Sequence, residues 1–273
     1  MNKIRIISNK KISAIYFALL LNGYDYFHFE KNEELIIKLN SFVNCNLVDD
    51  FFANARQKTC ETYPYWPRVA LLETASFFID NNNKFDFENT YKKINSFTNI
   101  SESERNDDFW KWIKLFPKEI AYILNSKEFN DYYLWERDYI SSLNCKYDNE
   151  LKKIAYIINK CISVYNLNIN SVEIIINPIK CAYSADYHII DNKFVFSSGQ
   201  FSFDSIIHEI LHLVVHPHMK EIICDLNEIN LESFAIDESY FIDESEQGKL
   251  NTLEEFIVRC LTSDVLDDYY PEE

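Results

Sequence analysis

Two histidines and a glutamate within five consecutive positions, His208, Glu209 and His212, are the residues with the clearest chemical potential. In an α-helix, residues four apart lie on one face, so both imidazoles can approach a single metal ion. Glu209 is rotated by about a quarter of a turn from His208, where its carboxylate can take a proton from a water at that ion. A pair of core histidines in a buried ion pair is the alternative explanation. We favour zinc, because unpaired buried charge is costly.

The sequence around this motif predicts a buried helix. Its apolar residues lie on nearly every side of the helix axis, which is typical of a core element. They are Ile206, Ile207, Ile210, Leu211, Leu213, Val214 and Val215. Ser202 or Asp204 is the predicted N-cap, and Pro217 is predicted to end the helix just after His216.

The motif H-E-I-L-H on an apolar helix resembles the zincin family of zinc metallopeptidases. The resemblance implies Zn²⁺ as the cofactor, with His208 and His212 as two of its ligands. It also implies that Glu209 acts as general base in the hydrolysis of a peptide or protein substrate. In that family a small sheet precedes the motif helix, and an extended peptide pairs with its edge strand. The predicted hairpin at 183–196 would be this edge.

The third ligand depends on the branch of the family that the chain resembles. A second apolar pattern at 253–261 predicts a helix that carries Glu254 and Glu255, with Asn251 or Thr252 as its N-cap. Glu255 lies on a polar stripe of that helix, whereas Glu254 can cap it. Residues 255–259 also resemble a helix of uncharacterised bacterial zincin-like families. We therefore predict Glu255 as the third ligand, in a gluzincin-like arrangement.

Two alternatives to Glu255 stay open, Glu254 and His218. His218 stands at the third-ligand spacing of the metzincin branch, but Val215 occupies the position where that branch requires glycine for a turn with positive φ. Arg259 follows Glu255 by one turn, where thermolysin-like enzymes have an aspartate. Ligand histidines normally donate their second ring N–H to a carboxylate or a carbonyl, and this departure leaves open which group accepts it here.

The sequence pattern outside the motif predicts an α+β chain with two regions, whose elements would position these residues. Residues 1–145 form a mainly helical, aromatic-rich region, with a strand at 4–7 and helices at 12–21, 68–80, 109–124 and 132–143. Residues 146–273 form the zincin-like region, with a helix at 148–165 and a small mixed sheet before the motif helix. The strands of that sheet are expected at 172–177, 183–190 and 193–196, the last two joined by a turn at Asp191 and Asn192.

Composition restricts the partners and the location of the chain. A net charge of −16 excludes a nucleic-acid-binding surface, because phosphate contacts require clustered Lys and Arg. No apolar run reaches the roughly 20 residues that span a membrane. The run at 12–21 matches the apolar core of a signal peptide, but no cleavage site follows and Asn22 and Gly23 predict a helix end. Seven scattered cysteines without C-x-x-C spacing also favour a reducing, cytoplasmic location.

The activity itself is predicted with two alternatives. One is a metal-free helical binding domain in which the motif is accidental, and zinc content separates it from the others. The other is a zinc-binding regulatory or interaction module that has lost catalysis. Glu209 argues against it, because a structural zinc site closes its fourth position and needs no base. The sequence does not identify the group that stabilises the oxyanion. The candidates are His216, His218, Tyr240, Tyr183, Tyr187 and Arg259.

Overall fold

The computed structural model describes residues 4–24, 31–43, 47, 50–60, 68–96, 106–182, 184–222 and 246–269. Within these ranges the chain forms ten helices and four strands. In chain order they are β1 (Ile6–Ile7), α1 (Lys10–Leu21), α2 (Glu33–Asn40), α3 (Asp50–Cys60), α4 (Arg68–Phe77), α5 (Phe87–Asn95), α6 (Asp107–Leu124), α7 (Lys127–Lys146), α8 (Asp148–Val164), β2 (Ser171–Ile176), β3 (Ala185–Ile190), β4 (Lys193–Ser198), α9 (Phe203–Ile222) and α10 (Glu246–Tyr269). The predicted α+β class, mainly helical with a small mixed sheet, is confirmed.

The elements fall into two compact units, which we call the mixed unit and the helical unit. The mixed unit comprises Arg5–Asp148 and Val172–Phe201, and the helical unit comprises Met1–Ile4, Asn149–Ser171 and Ser202–Glu273. This division differs from the linear boundary at residue 145 that the sequence suggested. Strands β2 to β4 fall in the mixed unit because β2 pairs with β1, near the start of the chain. The zincin arrangement of a small sheet with the motif helix stays a prediction.

The sheet of the mixed unit has the strand order β1-β2-β4-β3. Strand β1 runs parallel to β2, with Ile6 opposite Ile174, and β3 runs antiparallel to β4. Asp191 and Asn192 join β3 to β4 with φ angles of 50° and 61°, the conformation of a type I′ turn that asparagine and aspartate tolerate. The predicted hairpin turn is confirmed. The Asn144 side chain hydrogen-bonds both the N–H and the carbonyl of Ile6, at 3.0 and 2.8 Å.

Helix α1 lies in the core of the mixed unit, and each of its residues from 12 to 20 is buried. Its N-cap is Asn9, whose side chain accepts from two backbone N–H groups, and its C-cap is the predicted Asn22. Gly23 follows with a φ of 84°. The surrounding core is aromatic: Phe17 stacks on Tyr132 with ring centroids 5.1 Å apart. The apolar run at 12–21 is therefore a core helix. In the part of the chain that the structure describes, no helix is both long and apolar enough to span a bilayer.

A largely buried ionic cluster joins α4 to the sheet of the mixed unit. The Nζ atom of Lys180 lies 2.9 Å from Glu73 and 2.6 Å from Asp186, and Lys180 and Glu73 are both 0% exposed. The Tyr16 hydroxyl donates to Glu73 at 2.6 Å, and the ring of His188 lies 3.2 Å from the second oxygen of Glu73. Burial raises the pKa of Glu73, but Lys180 and His188 outweigh this effect and hold it well below its usual range. The buried charges of the cluster are thus paired, as burial requires.

The helical unit contains α9, whose start agrees with one of the two predicted N-caps and whose end differs from the prediction. The backbone N–H of Ser205 donates to the Ser202 hydroxyl at 3.1 Å, so Ser202 is the N-cap and Asp204 lies in the first turn. The expectation that Pro217 ends the helix is wrong, because α9 continues to Ile222 with Pro217 inside it. A proline removes one backbone hydrogen bond, yet Met219, beyond it, is only 3% exposed. The burial of Met219 helps to offset this loss.

Helix α10 packs against α9 and begins earlier than the sequence suggested. It starts at Glu246, so Asn251 and Thr252 lie inside the helix and the prediction that either is its N-cap is wrong. The Thr252 hydroxyl instead donates to the carbonyl of Gly248 at 3.0 Å. Glu254 therefore does not cap α10 either, and its carboxylate makes other contacts, which are described below.

We expect Glu136, in the core of the mixed unit, to make stability pH-dependent. Glu136 is 0% exposed and accepts a hydrogen bond from Ser13 at 2.7 Å. Burial raises its pKa to about 7, although the Ser13 hydrogen bond opposes this. For an acid whose pKa is raised on folding, stability is full below the unfolded pKa and falls as pH rises through 7. Glu136→Gln should therefore stabilise the protein little near pH 5 and by roughly 3 kcal/mol near pH 8.

Urea unfolding of the parent and the variant at both pH values measures this difference. Asp138→Asn is the matched control, since Asp138 is an exposed acid on the same helix. A gain in stability that is equal at the two pH values would contradict the raised pKa of Glu136.

Candidate metal centre

The candidate centre is built from one stripe of α9 and one turn of α10, both in the helical unit. His208, His212 and His216 are spaced by four residues on α9, so their side chains follow one face of the helix. Glu254 and Glu255 are consecutive on α10, and their side chains leave that helix about 100° apart. This difference in direction gives the two carboxylates different partners.

Three side-chain atoms converge at the predicted ligand positions. The Nε2 atoms of His208 and His212 lie 3.1 Å apart, and Oε2 of Glu255 lies 3.4 Å from the first and 3.5 Å from the second. The three residues form the group of potential metal donors found in the described part of the chain. All three are half-buried, so an ion there would be partly shielded from solvent. The structure brings together the three residues that the sequence selected.

The spacing of these atoms fits a tetrahedral zinc ion. Their three separations define a circle with a radius of about 1.9 Å. A tetrahedral ion with bonds of about 2.0–2.1 Å holds any three of its donors about 3.4 Å apart, on a circle of about 1.9 Å. Two imidazole nitrogens and one carboxylate oxygen are also a donor set that catalytic zinc sites use. The donors present thus fit zinc in both chemistry and spacing.

Glu254 lies behind His212, on the side away from the three converging atoms. Its Oε1 lies 2.8 Å from Nδ1 of His212, and its Oε2 lies 2.9 Å from Nδ1 of His216. Glu254 is 8% exposed, whereas the His216 side chain is 56% exposed. The hydrogen bonds to His212 and His216 outweigh burial and lower the pKa of Glu254, so it is an ionised carboxylate that can only accept. Both histidines therefore donate from Nδ1, a contact that sequence reasoning missed.

Arg259 holds the second oxygen of the predicted ligand Glu255. Its Nε donates to Oε1 of Glu255 at 2.8 Å, while Oε2 faces the two histidines. One carboxylate oxygen is thus bound to the guanidinium and the other is directed at the candidate ion position. Arg259, which stands where thermolysin-like enzymes have an aspartate, therefore contacts Glu255, the predicted ligand. The carboxylate that contacts His212 at Nδ1 is Glu254.

The electrostatics of the centre follow from these contacts. Burial lowers the pKa of His212, but the hydrogen bonds to Glu254 and Glu255 and the charge of Glu209 together raise it to about 10. Burial raises the pKa of Glu255, but the two histidines and Arg259 outweigh it and hold that pKa far below its usual range. In the metal-free state a proton on His212 therefore compensates the carboxylates. A metal ion would take the place of that proton.

The other sequence candidates occupy different environments. Glu209 is half-buried beside His208 on α9, and its charge acts on His212. His218 is exposed and lies outside the three-residue donor group of the described chain. Among the candidate oxyanion donors, His216 and Arg259 have the carboxylate partners given above. Tyr187 belongs to β3 of the mixed unit, and Tyr183 and Tyr240 lie outside the described residues.

Comparison of the chain with protein-family models, curated proteins and solved structures returned no match. The interpretation of the centre therefore rests on the residues and distances above.

We expect purified protein that has been offered zinc to hold about one ion per chain at this centre. His208→Ala or His212→Ala should abolish stable binding, because two protein donors rarely hold zinc well. Glu255→Ala should weaken binding by more than about 100-fold, since a ligand contributes more than the outer groups whose loss costs 10–100-fold. Elemental analysis and competition with a chromogenic chelator measure both effects.

His218→Ala is the matched control, since it removes an exposed imidazole from the same helix. We expect it to bind zinc like the parent. Zinc loss in His218→Ala with Glu255→Ala unaffected would move the third ligand to the metzincin position and contradict the assignment of Glu255.

Proposed function

We propose that the chain is a zinc-dependent metallopeptidase that hydrolyses peptide bonds in a peptide or protein substrate. The observation that carries this proposal is the convergence of His208, His212 and Glu255 at tetrahedral zinc spacing. Within the described residues three donors converge, which is the number typical of catalytic zinc sites, where a fourth position is left for water or substrate, whereas structural sites use four. The resemblance of the H-E-x-x-H helix to zincins supports the same conclusion.

The ligand residues would hold the ion, and the ion would supply Lewis acidity. When bound, zinc polarises a carbonyl and lowers the pKa of water from about 15.7 to about 7. Two neutral imidazoles and one carboxylate leave a net positive charge on such a site. Arg259 limits Glu255 to one free oxygen, which keeps the number of protein donor atoms at three.

Glu209 is the residue that moves the proton. Its carboxylate accepts a proton from water as the water oxygen bonds to the scissile carbonyl carbon. The same carboxyl then gives the proton to the amide nitrogen as the C–N bond breaks, so the products are a carboxylic acid, which keeps the second proton of the water, and an amine. Glu209 suits this role because it lies next to His208 without being one of the three converging donors.

The setting proposed for the reaction is the cytoplasm, with neither nucleic acid nor membrane as a partner. The net charge of −16 is unfavourable for both nucleic acid and anionic lipid. A zinc-binding module without catalysis would share the three donors but would have no use for Glu209. The role of Glu209 therefore separates the two functions.

We expect Glu209→Gln to keep its zinc and lose hydrolysis. The substitution removes a base without removing a metal donor, so the rate should fall by about 10²–10⁴-fold, the usual contribution of general acid–base catalysis. Cleavage of a peptide library followed by mass spectrometry measures the activity, and elemental analysis measures the zinc.

Asp204→Asn is the matched control for this test, because it neutralises an exposed carboxylate on the same helix. It should cleave the library like the parent. Equal activity in Glu209→Gln and the parent would contradict the role of Glu209. A parent that holds zinc and cleaves no peptide or protein would instead support the non-catalytic module.

A further inference from the structure

We propose that Glu254, held in place by His216, is the positioning residue that orients the ligand His212. This inference rests on the proposed function, since it assigns a role at the same zinc centre. The carboxylate bridges two histidines one turn apart on α9, with contacts of 2.8 and 2.9 Å. The start of α10 at Glu246 removes the capping role that the sequence suggested for Glu254.

The first step of the argument is the tautomer of His212. A carboxylate can only accept a hydrogen bond, so Nδ1 of His212 carries the proton that is shared with Glu254. In the neutral ring the lone pair then lies on Nε2, the atom that faces His208 and Glu255. The contact thus selects the one neutral form of His212 that can bind the ion through the converging atom.

The second step is the burial of the carboxylate. Glu254 occupies one stripe of α10 with Leu250, Val258 and Thr262, all less than 9% exposed. A carboxylate placed in such a stripe requires hydrogen-bond partners for both oxygens. His212 satisfies one oxygen and His216 the other. Removal of either histidine contact leaves Glu254 free to turn away or leaves a buried oxygen unsatisfied.

The third step is the geometry of the His212 ring. Glu254 contacts the ring at Nδ1 and Glu255 contacts it at Nε2, so two consecutive residues of α10 lie on opposite sides of one imidazole. The ring orientation is therefore set by α10 as well as by the rotamer preference of α9. His216 adds to this by fixing the carboxylate at its second oxygen, and its exposed side chain can be replaced with little risk to folding.

The test measures zinc affinity and catalysis in four variants and the parent. Glu254→Gln keeps the size of the side chain but loses its charge, and should weaken zinc binding by about 10–100-fold. His216→Ala should lower affinity in the same direction by a smaller factor, about threefold to tenfold. His216→Asn, whose amide nitrogen can reproduce the Nδ1 donor, should restore most of it. His218→Ala is the control for zinc affinity and should bind zinc like the parent.

Two further readouts separate positioning from general stability. Substitution with Co²⁺ should give a visible absorption spectrum that changes in Glu254→Gln, because the orientation of a ligand changes. In zinc-saturated protein kcat should fall while KM stays within about twofold, because Glu254 acts through His212 and not on the substrate. A role in folding alone would leave the Co²⁺ spectrum and the kcat of the folded variant unchanged.

The outcomes distinguish this inference from the proposed function. A parent that binds no zinc overturns the proposed function and the inference with it. A parent that binds zinc and cleaves peptides, with an unchanged affinity and Co²⁺ spectrum in Glu254→Gln, overturns the inference alone. If Glu254→Gln does not fold, the two His216 variants provide the test. Equal zinc affinity in His216→Ala and His216→Asn then overturns the inference.

Discussion

The candidate centre depends on the pairing of two consecutive carboxylates of α10 with the histidine stripe of α9. Glu254 and Glu255 leave α10 about 100° apart, and this angle lets them hold the two nitrogens of His212 from opposite sides. The same arrangement brings Oε2 of Glu255 to His208 and Oε2 of Glu254 to His216. The position of α10 along α9 therefore determines both the donor set and the groups behind it.

Burial makes this helix pairing specific. The stripe of α10 that contains Leu250, Glu254, Val258 and Thr262 is buried, while Glu255 lies at its margin with a side chain 28% exposed. A rotation of α10 by one residue would separate Glu254 from both imidazoles. A buried carboxylate without partners costs more than the hydrogen bonds contribute when they are formed. The apolar contacts can tolerate small shifts, but the carboxylate contacts cannot, so the polar pair sets the register.

The short-range features of this chain could be predicted from its sequence, and the long-range ones could not. The start of α9, the β3–β4 turn and the selection of His208 and His212 follow from spacing within one element. Glu255 was selected on its polar stripe, on a capping role for Glu254 that the structure removes, and on the resemblance of residues 255–259 to a zincin-like helix. The start of α10 was missed because a good cap at Asn251 is also compatible with the helix interior. The effect of Pro217 was predicted wrongly because the burial of Met219, a tertiary contact that helps α9 to continue, cannot be derived from local sequence. Helices α2, α3 and α5 were not predicted, and the role of Glu254 depends on residues about forty positions away.

A comparison of the two buried polar clusters explains why one of them suits a metal ion. In the mixed unit, the ammonium of Lys180 lies among Glu73, Asp186 and the carbonyl of Ser197, so the chain provides its own cation. At the candidate centre the three converging atoms, from His208, His212 and Glu255, all carry lone pairs when both histidines are neutral with the proton on Nδ1. Lone pairs 3.1–3.5 Å apart repel one another unless a cation lies between them. A proton on His212 can fill this role: burial opposes it, but the hydrogen bonds to Glu254 and Glu255 and the charge of Glu209 raise the pKa of His212 to about 10. A divalent ion with three matching bonds fills it better, because it satisfies all three donors at once where a proton satisfies two.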